Sequence, residues 1–124
     1  QALTAAMQSN INDPGGCNNG FLRKDALLMV TFIATNPDSQ QSEGAPDKWA
    51  QAVIDAKYGD DKSVVMFAIG GPAECKPYDR ICHLITMFPY HHGLYVEEPD
   101  YGPGFAKAAS LVETACAGFT PPPG

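Results

Sequence analysis

Residues 25–36, DALLMVTFIATN, decide the fold. Within them, residues 26–34 are almost all apolar and rich in large or β-branched side chains. A run without polar alternation suits a strand buried on both faces, as in a parallel sheet covered by helices. A second run, residues 63–71 (SVVMFAIGG), has the same character. In open parallel α/β sheets ligands bind just beyond the carboxyl ends of the strands, so the loops after these two runs are where a site is expected.

Between the runs, residues 35–46 (TNPDSQQSEGAP) are polar and have no period. This is a long loop, and long loops in compact domains are often functional. Pro46 and Asp47 then open a helix that continues through Trp49, Val53 and Ala56 to Lys57. Proline suits a first helical turn, and an acidic residue there complements the helix dipole. Tyr58-Gly-Asp-Asp is the turn out of it. Upstream, residues 2–10 read as a short helix with Leu3, Ala6 and Met7 on one face. Asn12-Asp-Pro-Gly-Gly stops it with turn chemistry. A structured loop from Cys17 follows, in which Phe21 and Leu22 are expected to pack under the sheet edge.

Downstream, Gly70-Gly71-Pro72 closes the second run, and a connection holding Cys75 leads into a helix over residues 78–88. Ile81, Leu84, Ile85 and Phe88 share one side of it, and Pro89 ends it. Residues 91–100 (HHGLYVEEPD) are ambiguous, since Leu94-Tyr-Val fits either a short edge strand or a packed loop. The last helix starts near Pro103. Phe105, Ala109, Val112, Cys116 and Phe119 recur in it at helical spacing, with Gly118 as its stop. Alternating strands and helices imply right-handed crossovers and a three-layer, Rossmann-like α/β domain with a small, mostly parallel sheet covered by helices. The boundaries are residues 1–119 for the single domain and residues 120–124 for a proline-rich tail or linker. With two clear strands, the sheet is narrow: either a strand is hidden or the domain is truncated on its N-terminal side.

Composition excludes several partner classes. The chain has 124 residues and a formal charge of −6, with no basic run. Nucleic acid and anionic membrane surfaces are therefore not expected partners. No apolar stretch approaches the length needed to span a bilayer.

Four cysteines occur without a CxxC pair or a zinc-knuckle spacing. Two disulfides and an extracytoplasmic location are the leading expectation; four reduced, buried cysteines are the alternative. The fold polarity selects among the three possible pairings. Cys17 precedes the first strand and Cys116 ends a helix running antiparallel to the strands, so both belong at the amino edge of the sheet. Cys75 follows a strand and Cys82 lies early in the next helix, near the opposite edge. The expected bridges are Cys17–Cys116 and Cys75–Cys82.

Residues 16–35, GCNNGFLRKDALLMVTFIAT, followed by a polar loop, DKW and KYGD, resemble the second half of a von Willebrand factor A-like domain. The likeness is strongest to the secreted, cysteine-containing versions of myxobacteria and related bacteria. Residues 100–122, DYGPGFAKAASLVETACAGFTPP, are similar to the closing segment of that family. The resemblance implies an adhesion or assembly module at a bacterial surface, with a protein or surface polymer as partner. It also implies a magnesium ion at the top of the sheet, held by an early Asp-x-Ser-x-Ser, a middle Thr and an Asp after the strand. Asp-x-Ser-x-Ser does not occur here, and Asn36 stands where the Asp belongs. Magnesium favours anionic oxygen ligands, so no cofactor is expected.

The candidate ligand site is Thr35, Asn36, Asp38 and Ser39 at the predicted carboxyl end of the sheet. Asn-Pro-Asp-Ser also suits an ordinary Asx-turned loop. His91 and His92 with Glu97, Glu98 and Asp100 offer metal-ligand chemistry, but adjacent residues of a regular element face different ways. Trp49 and Tyr58 are expected to be packing residues. No catalytic constellation stands out: the serines lack a nucleophile-elbow context, and a Cys82–His83 dyad would need a free thiol. The leading functional expectation is thus a non-enzymatic extracytoplasmic binding module. Its rivals are a structural subunit that completes its sheet with another chain, and a hydrolase on an α/β scaffold.

Overall fold

Both apolar runs form strands, and a third joins them. The structure, a computed structural model, describes residues 2–35, 42–70, 76 and 78–121. In order come α1 (Ala2–Ala6), α2 (Ser9–Asn12), β1 (Leu28–Ile33), α3 (Pro46–Ala56), a 3-10 turn (Asp61–Ser63), β2 (Val64–Ile69), α4 (Arg80–Ile85), β3 (Tyr90–Leu94) and α5 (Gly102–Gly118). The result is a mixed α/β fold, Rossmann-like, with a small open sheet flanked by helices. The three strands are all parallel, in the order β1-β2-β3. Leu28 pairs with Val64 and Val65 with Tyr90, which sets the register throughout. The ambiguous segment supplies its strand earlier than Leu94-Tyr-Val, at Tyr90–Leu94 directly after Pro89.

The strand order explains the layers. From β1 to β2 to β3 the chain steps in one direction, and right-handed crossovers then put both connecting helices on one face. On that face α3 and α4 meet, and α1 packs against α3. Leu28, Val64, Met66 and Ala68 from the sheet meet Trp49, Ala50 and Val53 of α3, with Leu84, Ile85 and Phe88 from the α4 region. On the other face α5 lies over β2 and β3, where Phe67, Ile69 and Ala108 form a second, smaller core. All six residues of β2 are buried, as the unbroken apolar run requires of a central parallel strand. β1 is different. Its buried and half-buried residues face α3, while Met29, Thr31 and Ile33 are exposed.

Phe21, expected to pack under the sheet edge, is 62% exposed, whereas Leu22 does pack against the core; two further expectations are corrected. The first concerns α5. Its buried residues are Gly104, Ala108 and Ala115, one position away from the Phe105–Ala109–Cys116 stripe. The helix lies so close to β3 that a Cβ on Gly104 would sit 2.3 Å from the Leu94 methyls. Small residues therefore face the sheet, and Phe105 is displaced to the flank with 51% of its surface exposed.

The second correction is the Cys17–Cys116 bridge. Both thiols are free and exposed. The loop carrying Cys17 leads from α2 on the α3 side of the sheet, and Cys116 rides on α5 on the other. The sheet separates them. Cys82 is disulfide-bonded; of the expected Cys75–Cys82 pair, Cys75 lies outside the described residues.

Candidate functional site

The carboxyl edge of the sheet is where the ligand site was expected. Ala34 N–H donates to Ile69 O at 2.9 Å and Gly70 N–H donates to Leu94 O at 2.9 Å, so the ladder continues one residue past each strand end. A Cβ on Gly70, whose φ is +150°, would fall 2.0 Å from Ala34 O. Only glycine lets the two chains leave the sheet this close together. Thr35 is exposed immediately beyond. Asn36, Asp38 and Ser39 lie outside the described residues, so of the four candidates Thr35 alone is placed.

The far end of that loop is held by a clamp that sequence reasoning missed. The Arg80 guanidinium donates to the carbonyls of Ser42 and Gly44, and it stacks on the Trp49 ring at 4.5 Å. Trp49 Nε1 in turn donates to Glu43 O at 2.8 Å. A planar guanidinium can stack and donate at once, which a lysine could not. Trp49 is therefore a packing residue that also organises the loop. Tyr58 is not one: its ring is 62% exposed.

Two of the carboxylates near this edge, Glu97 and Asp100, are already engaged. Tyr95 O–H donates to Glu97 Oε2 at 2.9 Å, and Asp100 Oδ1 accepts from Gly102 N–H at the start of α5. His91 and His92 point to opposite faces. His91 Nδ1 lies 2.6 Å from Phe88 O on the α4 side, and His92 stacks on Phe67 on the α5 side with ring centroids 6.1 Å apart. Burial, with Lys107 and His91 adding repulsion, holds His92 below the ordinary histidine pKa. Among the described residues no group of three His, Cys, Asp or Glu side chains is arranged to hold a metal ion. With Cys82 in a disulfide, a Cys82–His83 dyad has no thiol to use.

The most distinctive surface is the uncovered side of β1. Among the described residues β1 has β2 on one side and no strand on the other. Ile33 is 79% exposed and Met29 46%. Phe105 approaches from α5 with its ring edge-on to Phe67, centroids 5.5 Å apart. Phe67 is the register partner of Thr31, which lies between Met29 and Ile33 on the same face. Phe67, with Phe105 against it, thus lies on the same face of the sheet as the exposed Met29 and Ile33. The edge sequence LMVTFI carries no charge or proline, the usual protections of a free strand.

Another residue missed in the sequence is Lys57. It is buried, and its Nζ donates to Arg23 O at 2.5 Å and Ala26 O at 2.7 Å. Burial lowers its pKa, against the attraction of Asp60 and Asp25. It ties the end of α3 to the chain entering β1. No signal in the residues around it marks a helix-terminal lysine as buried.

No protein-family model, curated protein or solved structure matches the chain.

Proposed function

We propose that the chain is an extracytoplasmic binding module that completes its sheet with an extended apolar segment of another polypeptide, added along β1. The observation that carries this reading is the bare β1 edge beside Met29, Ile33 and Phe105. A strand edge offers alternating N–H and C=O groups, which an incoming backbone satisfies in full. Apolar side chains on the incoming strand would cover Met29 and Ile33 at the same time. Exposed apolar surface rimmed by polar residues is characteristic of interaction sites. The von Willebrand A-like resemblance supports the same class of function, adhesion or assembly, and the disulfide at Cys82 supports an oxidising compartment. The proposal includes no metal and no catalytic step.

The chain itself is the first probe. Raising its concentration should drive pairing along β1, seen as a larger mass by light scattering and slower amide exchange at residues 29–33. Ile33→Lys should abolish both while leaving the fold intact. A wild-type chain that remains monomeric at high concentration, with β1 exchanging as fast as in Ile33→Lys, would rule out the strand-addition reading.

A further inference from the structure

We infer, resting on the strand addition proposed above, that the segment added along β1 is β1 of a second copy of this chain, antiparallel and in a register centred on Thr31. The direction of the backbone groups comes first. Ala34 N–H donates to Ile69 O, so Ala34 turns its polar groups toward β2. Successive residues of a strand turn theirs to alternate sides. Val30 and Phe32 therefore face β2 as well, and the N–H and C=O groups of Met29, Thr31 and Ile33 face the open edge.

A contact between two copies closes when a two-fold axis brings the same patch to both sides, so that residue i meets j and j meets i. β1 meets this condition. Its ladder runs from Leu28 to Ala34, and the middle residue is Thr31. An axis there sets Thr31 opposite Thr31 of the other copy, and Met29 opposite Ile33. These are the outward-facing residues, so each becomes a hydrogen-bonded pair that exchanges both of its bonds. A shift by one residue would oppose outward groups to inward ones and form none. A shift by two keeps the bonding but leaves part of the strand unpaired.

The side chains brought together agree on both faces. On the open face the exposed Met29 meets the exposed Ile33. Thr31, the one polar side chain of β1, meets itself; in a register shifted by two it would face Met29 or Ile33. On the other face Val30 stands opposite Phe32. Both are only half-buried in the single chain, although they pack against the core there. Thr with Thr and aromatic with β-branched are favourable cross-strand pairs. LMVTFI carries no charge, so no like charges are opposed along the edge.

The faces also decide the strand direction. An axis perpendicular to the sheet makes the two β1 strands antiparallel and keeps open face beside open face. An axis along the strands would make them parallel and turn one sheet over. Met29 and Ile33 of one copy would then lie on the side where α3 and α4 of the other pack. Only the antiparallel pair lets the exposed apolar groups cover each other. A foreign segment needs no symmetry in β1, whereas β1 has its one polar side chain at the centre and apolar residues on either side.

The test traps the register in the full chain. Cys17→Ser and Cys116→Ser remove the two free thiols. Met29→Cys, Thr31→Cys or Ile33→Cys, each at an exposed position, then adds one at the edge. Two such thiols and one oxidised glutathione give the disulfide and two reduced glutathiones. Residues opposed in a hydrogen-bonded pair have Cα atoms about 5.5 Å apart, inside the disulfide range, whereas diagonal neighbours at about 7–8 Å lie outside it. Thr31→Cys alone should give a covalent dimer. Met29→Cys and Ile33→Cys should give one only when mixed with each other. Cross-links of Thr31→Cys to Met29→Cys or to Ile33→Cys, with none between two copies of Thr31→Cys, would overturn this register and leave strand addition standing. So would the absence of any cross-link while amide exchange at residues 29–33 of the wild-type chain slows with concentration, since a parallel copy or another segment would then cover the edge. Neither cross-link nor slowing would overturn both readings.

Discussion

The two faces of the sheet are built from the same strands, yet one is closed and the other half open. On the closed face, α1, α3 and α4 cover all three strands, and Val53, Met66, Leu84 and Phe88 are essentially inaccessible to water. On the open face a single helix covers β2 and β3, and β1 presents Met29 and Ile33 to solvent. The cause is topological rather than compositional. Both crossovers run the same way and must lie on one face; the N-terminal helix α1 packs on that face too, which leaves α5 to cover the other. One helix spans about 10 Å, the width of two strands at about 4.8 Å spacing. A third strand is therefore left over.

The sharpest way to break this contrast is to truncate an apolar side chain on each face. Phe88→Ala, on the closed face, should cost about 3–5 kcal/mol through lost transfer energy and a residual cavity. Ile33→Ala, on the open face, should change stability by no more than about 0.5 kcal/mol. Urea denaturation of both variants measures the difference. Comparable losses would mean that Ile33 is covered in solution.

Lys57 tests how the position of β1 is held. Lys57→Met keeps the aliphatic stem and removes the ammonium, leaving Arg23 O and Ala26 O without their donor. A loss of about 1–3 kcal/mol is expected, with faster amide exchange at the start of β1 than in β2. Uniform acceleration across the sheet would show that Lys57 supports the whole fold rather than one edge.

The smallest effect is the pH response of the open face. His92 is held below the ordinary histidine pKa by burial, Lys107 and His91. The unfolded chain therefore binds this proton more readily than the folded one. Stability should fall as pH drops through the ordinary histidine range toward the lowered value of His92, and level off below it. His92→Gln should flatten that slope in thermal melts taken across the range. A slope unchanged by the substitution would assign it to other groups.

The sequence by itself determined the class of fold. Two uninterrupted apolar runs of strand length, each followed by helix signals, admit little besides a parallel sheet under helices, because parallel strands must be joined by crossovers. Helix starts were equally legible where local chemistry sets them, as at Pro46 and Asp47. The rest depended on which elements come close, and composition does not carry that. The apolar stripe on α5 pointed to Phe105, but the contact with Leu94 demanded the smallest residue and turned Gly104 inward. The fold-polarity argument paired Cys17 with Cys116, but their elements pack on opposite sides of the sheet and both thiols are free. Tyr58 reads as an ordinary turn residue until the left-handed backbone at the end of α3 is seen. The bare side of β1 likewise follows from the direction of the crossovers and the width of one helix, neither of which is written in the strand that they leave exposed.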